Sequence, residues 1–242
     1  MLREKNDSLI ISYVALRRWI GILGILLPFV CLGGGRVFAG LPTQESISFY
    51  YYTNMRDFFV GLLVGVALFL VTYRGYERID SILTTVSGIA GFGIAVFPCL
   101  HDTTSTIPVG IFQVLPAVSN VIHLVCASVF FLLLASMSFF LFTLRKGADT
   151  PVTGRKVIRN IIYRICGGVI YAALVLLGVI MLVEAREQIH QASVVLISET
   201  VMLCAFGVSW LVKGETLFRD TADEPGAVLQ NSDQSQSGVD RV

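Results

Sequence analysis

Six apolar runs separated by short polar stretches organise this sequence of 242 residues. They fall at 19–39, 57–72, 81–100, 117–144, 161–183 and 194–212. A helix needs about 20 apolar residues to cross a hydrocarbon core of roughly 30 Å. Only helices and closed barrels satisfy their own backbone groups there. The pattern therefore predicts an all-α integral membrane bundle of six transmembrane helices spanning 19–213. A shorter apolar stretch, 109–115, is closed by Pro116. It is too short to span and reads as an interfacial or re-entrant piece. Residues 214–242 form a polar tail with no periodic apolar face after about residue 220, as expected of a disordered segment.

Charge sets the direction. With the intervening segments placed alternately on two sides, 15 of the 18 Lys and Arg share one side, leaving Arg36, Arg56 and Arg186 on the other. Cytoplasmic loops retain basic residues. The bias therefore predicts that residues 1–18 and the C-terminal tail are both cytoplasmic. The loop Arg145–Arg159 and the pair Trp210 and Lys213, expected as an interface anchor, mark the inner face. The first span also has the basic start, apolar centre (Trp19–Val30) and small-residue ending (Val37-Phe38-Ala39) of a cleaved leader. The long segment before it favours a retained span.

Composition agrees. The chain is 55% hydrophobic and 14% charged, against about 25% charged in soluble domains. A net charge of +1 and the lack of a recognition motif leave nucleic acid out and the lipid bilayer as the expected partner. Cys31, Cys99, Cys126, Cys166 and Cys204 lie in or beside apolar runs without C-x-x-C pairing, and read as small buried residues. Gly61-x-x-x-Gly65, the series Ser87, Gly91, Ala95, and Gly167-Gly168 are the expected sites of close helix packing. Gly33-Gly34-Gly35 follows no strand and is not a dinucleotide fingerprint.

The polar residues that bear on chemistry gather at the outer end: His101, Asp102, His123, His190, Arg56, Asp57 and Glu199. Glu199 lies roughly 7.5 Å along its helix from the outer end. An ionisable residue inside a span is costly and points to function. Its expected partners are Arg56 and His123. Ser48 stands with Glu45, Ser46 and the run Tyr50–Asn54 just before span two. Asn54-x-x-Asp57 also fits a helix cap with an acid in the first turn, and Tyr50–Tyr52 an interfacial aromatic belt. The ligand-pocket candidates are Arg56, Asp57, His123, Glu199, Ser48 and His101. They suggest an outward-facing pocket for a lipid headgroup or small polar ligand, with no cofactor and no assigned catalytic residue.

Two other classes compete. His101 and His123 with a carboxylate are the raw material for zinc and a membrane-embedded hydrolase of lipid, amide or ester, although no His-x-x-x-His pair exists. A Ser–His–acid set from Ser46 or Ser48, His123 and Glu199 would serve the same end but lacks a nucleophile elbow. A proton-coupled transporter is the third class. Against it stand the absence of an internal repeat and the scarcity of polar groups in the inner half.

The segment Ser46–Asp57, then Phe59-Val60-Gly61, Tyr73-Arg74-Gly75-Tyr76-Glu77, Phe97-Pro98, Ile122-His123, Arg159–Gly167 and Phe206–Glu215 resemble a family of bacterial multi-span membrane proteins with no established activity. The resemblance covers most of the chain apart from its tails. It implies a bacterial inner-membrane location and no mechanism. More distantly, Ser48, Asp57 and His123 are similar in placement to residues of the alkaline ceramidase and progestin/adiponectin-type receptor superfamily. Those proteins hold zinc with intramembrane histidines, a serine and an aspartate. This chain has six spans rather than seven and lacks the late paired histidines, so that activity is not carried over.

Overall fold

The computed structural model describes residues 2–75, 77–101, 106–144, 154–187 and 192–216, with side chains described from residue 13 onward and not at 184–187 or 192. Asp102, Arg145, Lys146, His190 and the tail beyond residue 216 lie outside the described residues.

Among the described residues there are six α-helices: α1 (Leu2–Ala39), α2 (Arg56–Thr72), α3 (Arg78–Val96), α4 (Pro116–Ser136), α5 (Gly154–Glu187) and α6 (Ala192–Lys213). A 3₁₀ segment, Ile47–Tyr52, precedes α2, and a π-helical turn, Met137–Leu141, extends α4. Pro116 opens α4 at a position where its missing N–H costs nothing. Gly75 and a capping box of Glu77 with Asp80 shape the turn into α3, where a β-carbon on Gly75 would run into the Asp80 side chain.

Among the described residues, five stretches are long and apolar enough to cross a membrane: Tyr13–Ala39, Arg78–Val96, Pro116–Leu141, Gly154–Val183 and Ser193–Lys213. The sequence pattern counted six. The difference is α2, whose 17 residues rise only about 25 Å.

The helices form a ring in which each packs on its sequence neighbours and α1 closes against α6. Short connections make neighbours antiparallel. One end therefore gathers Ala39, Arg56, Val96 and Pro116, and the other Tyr73, Arg78, Tyr163 and Lys213.

The helices are inverted relative to those of a soluble bundle. α3 exposes Ile79, Ile82, Val86 and Ile89 and buries Thr84, Ser87, Gly88, Gly91 and Ala95. α4 exposes Val118, Val121, Val125 and Leu132 and buries Ser119 and His123 beside Phe130 and Leu134. Apolar residues outside and small or polar ones inside suit lipid, which offers helices no hydrophobic reason to associate. The buried hydroxyls are satisfied: Ser87 donates to Leu83 O at 2.7 Å, Ser119 to Pro98 O at 2.7 Å, and Ser138 pairs with Ser209 at 2.8 Å.

Backbones approach closely where α1 meets α6, as they do where Gly88 of α3 meets Ala67 O of α2. A β-carbon on Gly21 would lie 2.7 Å from Gly207 O, and one on Gly207 would lie 2.7 Å from Gly21 O. Gly167 likewise admits Ala135 O and Phe139, while Gly168 faces open space. Gly61-x-x-x-Gly65 is not the expected packing face: nothing approaches Gly61, and only Leu23 approaches Gly65. Trp210 is also not an interface anchor. It is fully buried, edge-on to Tyr73 and Phe142, while the Lys213 ammonium lies over the Phe142 ring at 4.9 Å. The five cysteines are unbridged, three of them buried.

Candidate functional site

The loop between α1 and α2 folds back across the mouth of the ring and brings the polar residues together. Gly40, at φ +60°, turns the chain out of α1, with Leu41 N–H returning to Gly35 O. Ser46 then starts the 3₁₀ segment by accepting the Ser48 N–H on its hydroxyl oxygen at 3.1 Å. Thr53 ends it, donating to Tyr50 O at 2.9 Å and accepting from Met55 N–H at 3.1 Å. Asn54, which the sequence assigned as the cap of α2, does not occupy that position. The α2 cap residue is Met55, and it makes no side-chain capping bond. Asp57 is an exposed residue of the first turn.

Two separate polar sets result. In the first, Glu199, about two turns into α6, receives the Ser46 hydroxyl at 2.9 and 2.8 Å and the Ile47 N–H at 2.6 Å. Its partners are therefore not Arg56 or His123. A carboxylate at the start of the 3₁₀ segment satisfies donors that a helix beginning leaves open. Next to it, His123 is buried, with Nδ1 2.8 Å from Phe97 O and Nε2 3.1 Å from the Ser48 hydroxyl. A carbonyl only accepts, so in the neutral ring Nδ1 carries the proton and Nε2 accepts from Ser48.

Ser48 and Glu199 both line a cavity of about 40 Å³ walled by Leu27, Phe59, Leu63, Ile94, Phe130 and Leu203. That is room for about two or three waters. A serine bonded to a correctly oriented imidazole has the geometry of an activated nucleophile. Acyl transfer also needs donors aimed at the developing oxyanion. The N–H groups of Ile47, Ser48 and Phe49 are all engaged, by Glu199, Ser46 Oγ and Ser46 O. The Glu199 carboxylate faces the same cavity and would oppose a negative charge. This set is a clasp that fastens the 3₁₀ segment to α4 and α6.

The second set surrounds an open pocket of about 450 Å³ lined by Tyr51, Tyr52, Thr53, Arg56, Pro108, Val109, Gly110 and Gln113. Arg56 donates to the Tyr51 hydroxyl at 2.6 Å, and its guanidinium lies 4.3 Å from the Tyr51 ring centre. That bond engages one of five N–H donors. None of the described lining residues carries a carboxylate. The Tyr52 hydroxyl donates to Cys99 O at 2.6 Å. Burial, reinforced by the Cys99 thiol, pushes its pKa up to about 12, so it stays neutral at physiological pH and Arg56 sets the pocket's charge.

Of the six candidates, the structure pairs Ser48 with His123, ties Glu199 to the same segment, and places Arg56 alone in the open pocket. His101 is exposed and packs against Phe49 and Tyr52, with ring centres at 5.0 and 5.1 Å. Asp57 lines neither cavity. Both His123 nitrogens are engaged, and among the described residues no group of three or more potential zinc ligands gathers. Sequence reasoning missed Tyr51 and Gln113 as pocket donors, since one looked like part of an aromatic belt and the other stood in the stretch read as interfacial or re-entrant. Comparison with protein families, curated proteins and solved structures gives no match.

Proposed function

We propose that this chain is a six-span protein of the bacterial cell membrane, with both termini cytoplasmic, that binds an anionic headgroup or small anion in the outward-facing pocket at Arg56. α2 supports the sixth span: it packs between α1 and α3 and exposes Phe58 and Leu68 as its neighbours expose their apolar faces. Basic residues support the orientation, with Arg17, Arg18, Arg78, Arg159 and Lys213 at one end against Arg36 and Arg56 at the other.

The observation that carries the binding reading is the Arg56 guanidinium in an open pocket whose described lining holds hydroxyls and an amide but no carboxylate. A fork of N–H donors beside hydroxyls suits a phosphate or carboxylate. Thermal unfolding of the purified protein with increasing glycerol phosphate tests it. A ligand at 100 times its dissociation constant stabilises by about 2.7 kcal/mol, and Arg56→Ala should abolish the shift. Equal shifts in both proteins would refute the reading. The Ser48–His123 bond favours a second reading, a hydrolase of lipid or a small ester, which active-site labelling tests.

A further inference from the structure

Resting on the anion reading of the Arg56 pocket, we infer that its occupant is the phosphodiester of an anionic membrane lipid, and that the hairpin beside it inserts into the same leaflet. Residues 107–115 form a small hairpin closed by a bridge between Val109 and Val114, with N–H···O distances of 2.8 and 3.2 Å. Its turn uses Gly110 at φ +72° and Gln113 at φ +48°. One side of the hairpin supplies Gly110 and Gln113 to the pocket wall. The other holds Ile107, Ile111, Phe112 and Leu115 outward, 73%, 76%, 64% and 57% exposed. No residue from 106 to 115 is charged.

Four large apolar side chains held out from one short hairpin are unfavourable in water and favourable at the acyl boundary of a bilayer. They run on into the apolar face of α4, where Val118 and Val121 are exposed just beyond Leu115. The pocket therefore opens beside lipid rather than into bulk water. Its described lining has several donors to spare. Arg56 has N–H groups beyond the one given to Tyr51, the Tyr51 hydroxyl keeps its own proton, and Gln113 uses one amide N–H on Gly110 O at 2.7 Å. Such a set recognises an acceptor-rich anion, and a guanidinium matches a phosphate bidentately. A soluble anion would need the donors alone. A lipid uses the donors for its phosphate and the hairpin for its chains.

The test is native mass spectrometry of the delipidated full chain in detergent, titrated with phosphatidylglycerol, phosphatidylcholine or glycerol phosphate. The expected result is one phosphatidylglycerol bound in preference to phosphatidylcholine. Binding should weaken roughly tenfold or more in Arg56→Ala, less in Arg56→Lys, and not at all in Arg36→Ala. The double variant Ile111→Asn/Phe112→Ser should weaken lipid binding and leave glycerol phosphate binding intact. If glycerol phosphate binds as well as the lipid and the hairpin variant changes neither, the occupant is a soluble anion: this inference falls and the pocket reading stands. If none of the three binds in an Arg56-dependent way, both fall.

Discussion

Removing the Glu199 carboxylate tests the clasp most directly. The group accepts from the Ser46 hydroxyl and the Ile47 N–H, and Ser46 in turn holds the Ser48 N–H. Glu199→Ala strands two donors in a partly buried site, at about 1–3 kcal/mol each, so about 2–6 kcal/mol in all. Glu199→Gln keeps a carbonyl oxygen for Ile47, and its amide donates to Ser46 Oγ, which still has a lone pair. It should cost only the difference between charge-assisted and neutral bonds, about 1 kcal/mol. Ser46→Ala removes one donor and the acceptor of Ser48 N–H, for about 1–3 kcal/mol. Because the residues share one network, Ser46→Ala with Glu199→Ala should cost less than the two changes summed, with a coupling of about 0.5–3 kcal/mol. Denaturant titration in micelles, followed by circular dichroism, measures all four. A Glu199→Ala protein as stable as the parent, or a Gln variant worse than the Ala variant, would refute the clasp.

A fluorophosphonate probe should leave Ser48 unlabelled, since its neighbouring N–H groups are engaged; labelling that disappears in His123→Ala would establish a hydrolase instead. Gly207→Ala should destabilise by about 1–3 kcal/mol through overpacking against Gly21 O, whereas Gly61→Ala should be neutral or stabilising by up to about 1 kcal/mol, because nothing approaches that position. The same denaturant titrations separate the two. Thr43→Cys, at an exposed position of the α1–α2 loop, should react in a cysteine-free background with an impermeant maleimide on intact cells, and reaction only after lysis would reverse the orientation.

Much of the fold was legible because hydrophobicity and charge are properties of single residues read along a line. Apolar runs marked the helices, short connections between them made neighbours antiparallel, and the uneven Lys and Arg supply the proposed orientation. The ambiguous 109–115 stretch was also legible as something other than a span. The site was not legible in the same way. Sequence alone gathered Arg56, Asp57, Ser48, His101, His123 and Glu199 at one end, yet the hydrogen bonds at that end depend on how the 3₁₀ segment crosses the mouth. Glu199 could have met any donor in its leaflet. Tertiary structure gave it Ser46 and a backbone N–H, since the loop reaches α6 there, and left Arg56 facing the pocket. Helix rotation decided the rest, burying Trp210 and turning Gly207 rather than Gly61 towards a neighbour. Composition sets which residues enter the membrane, but a partner across the bundle is fixed only when six rigid helices choose their rotations together.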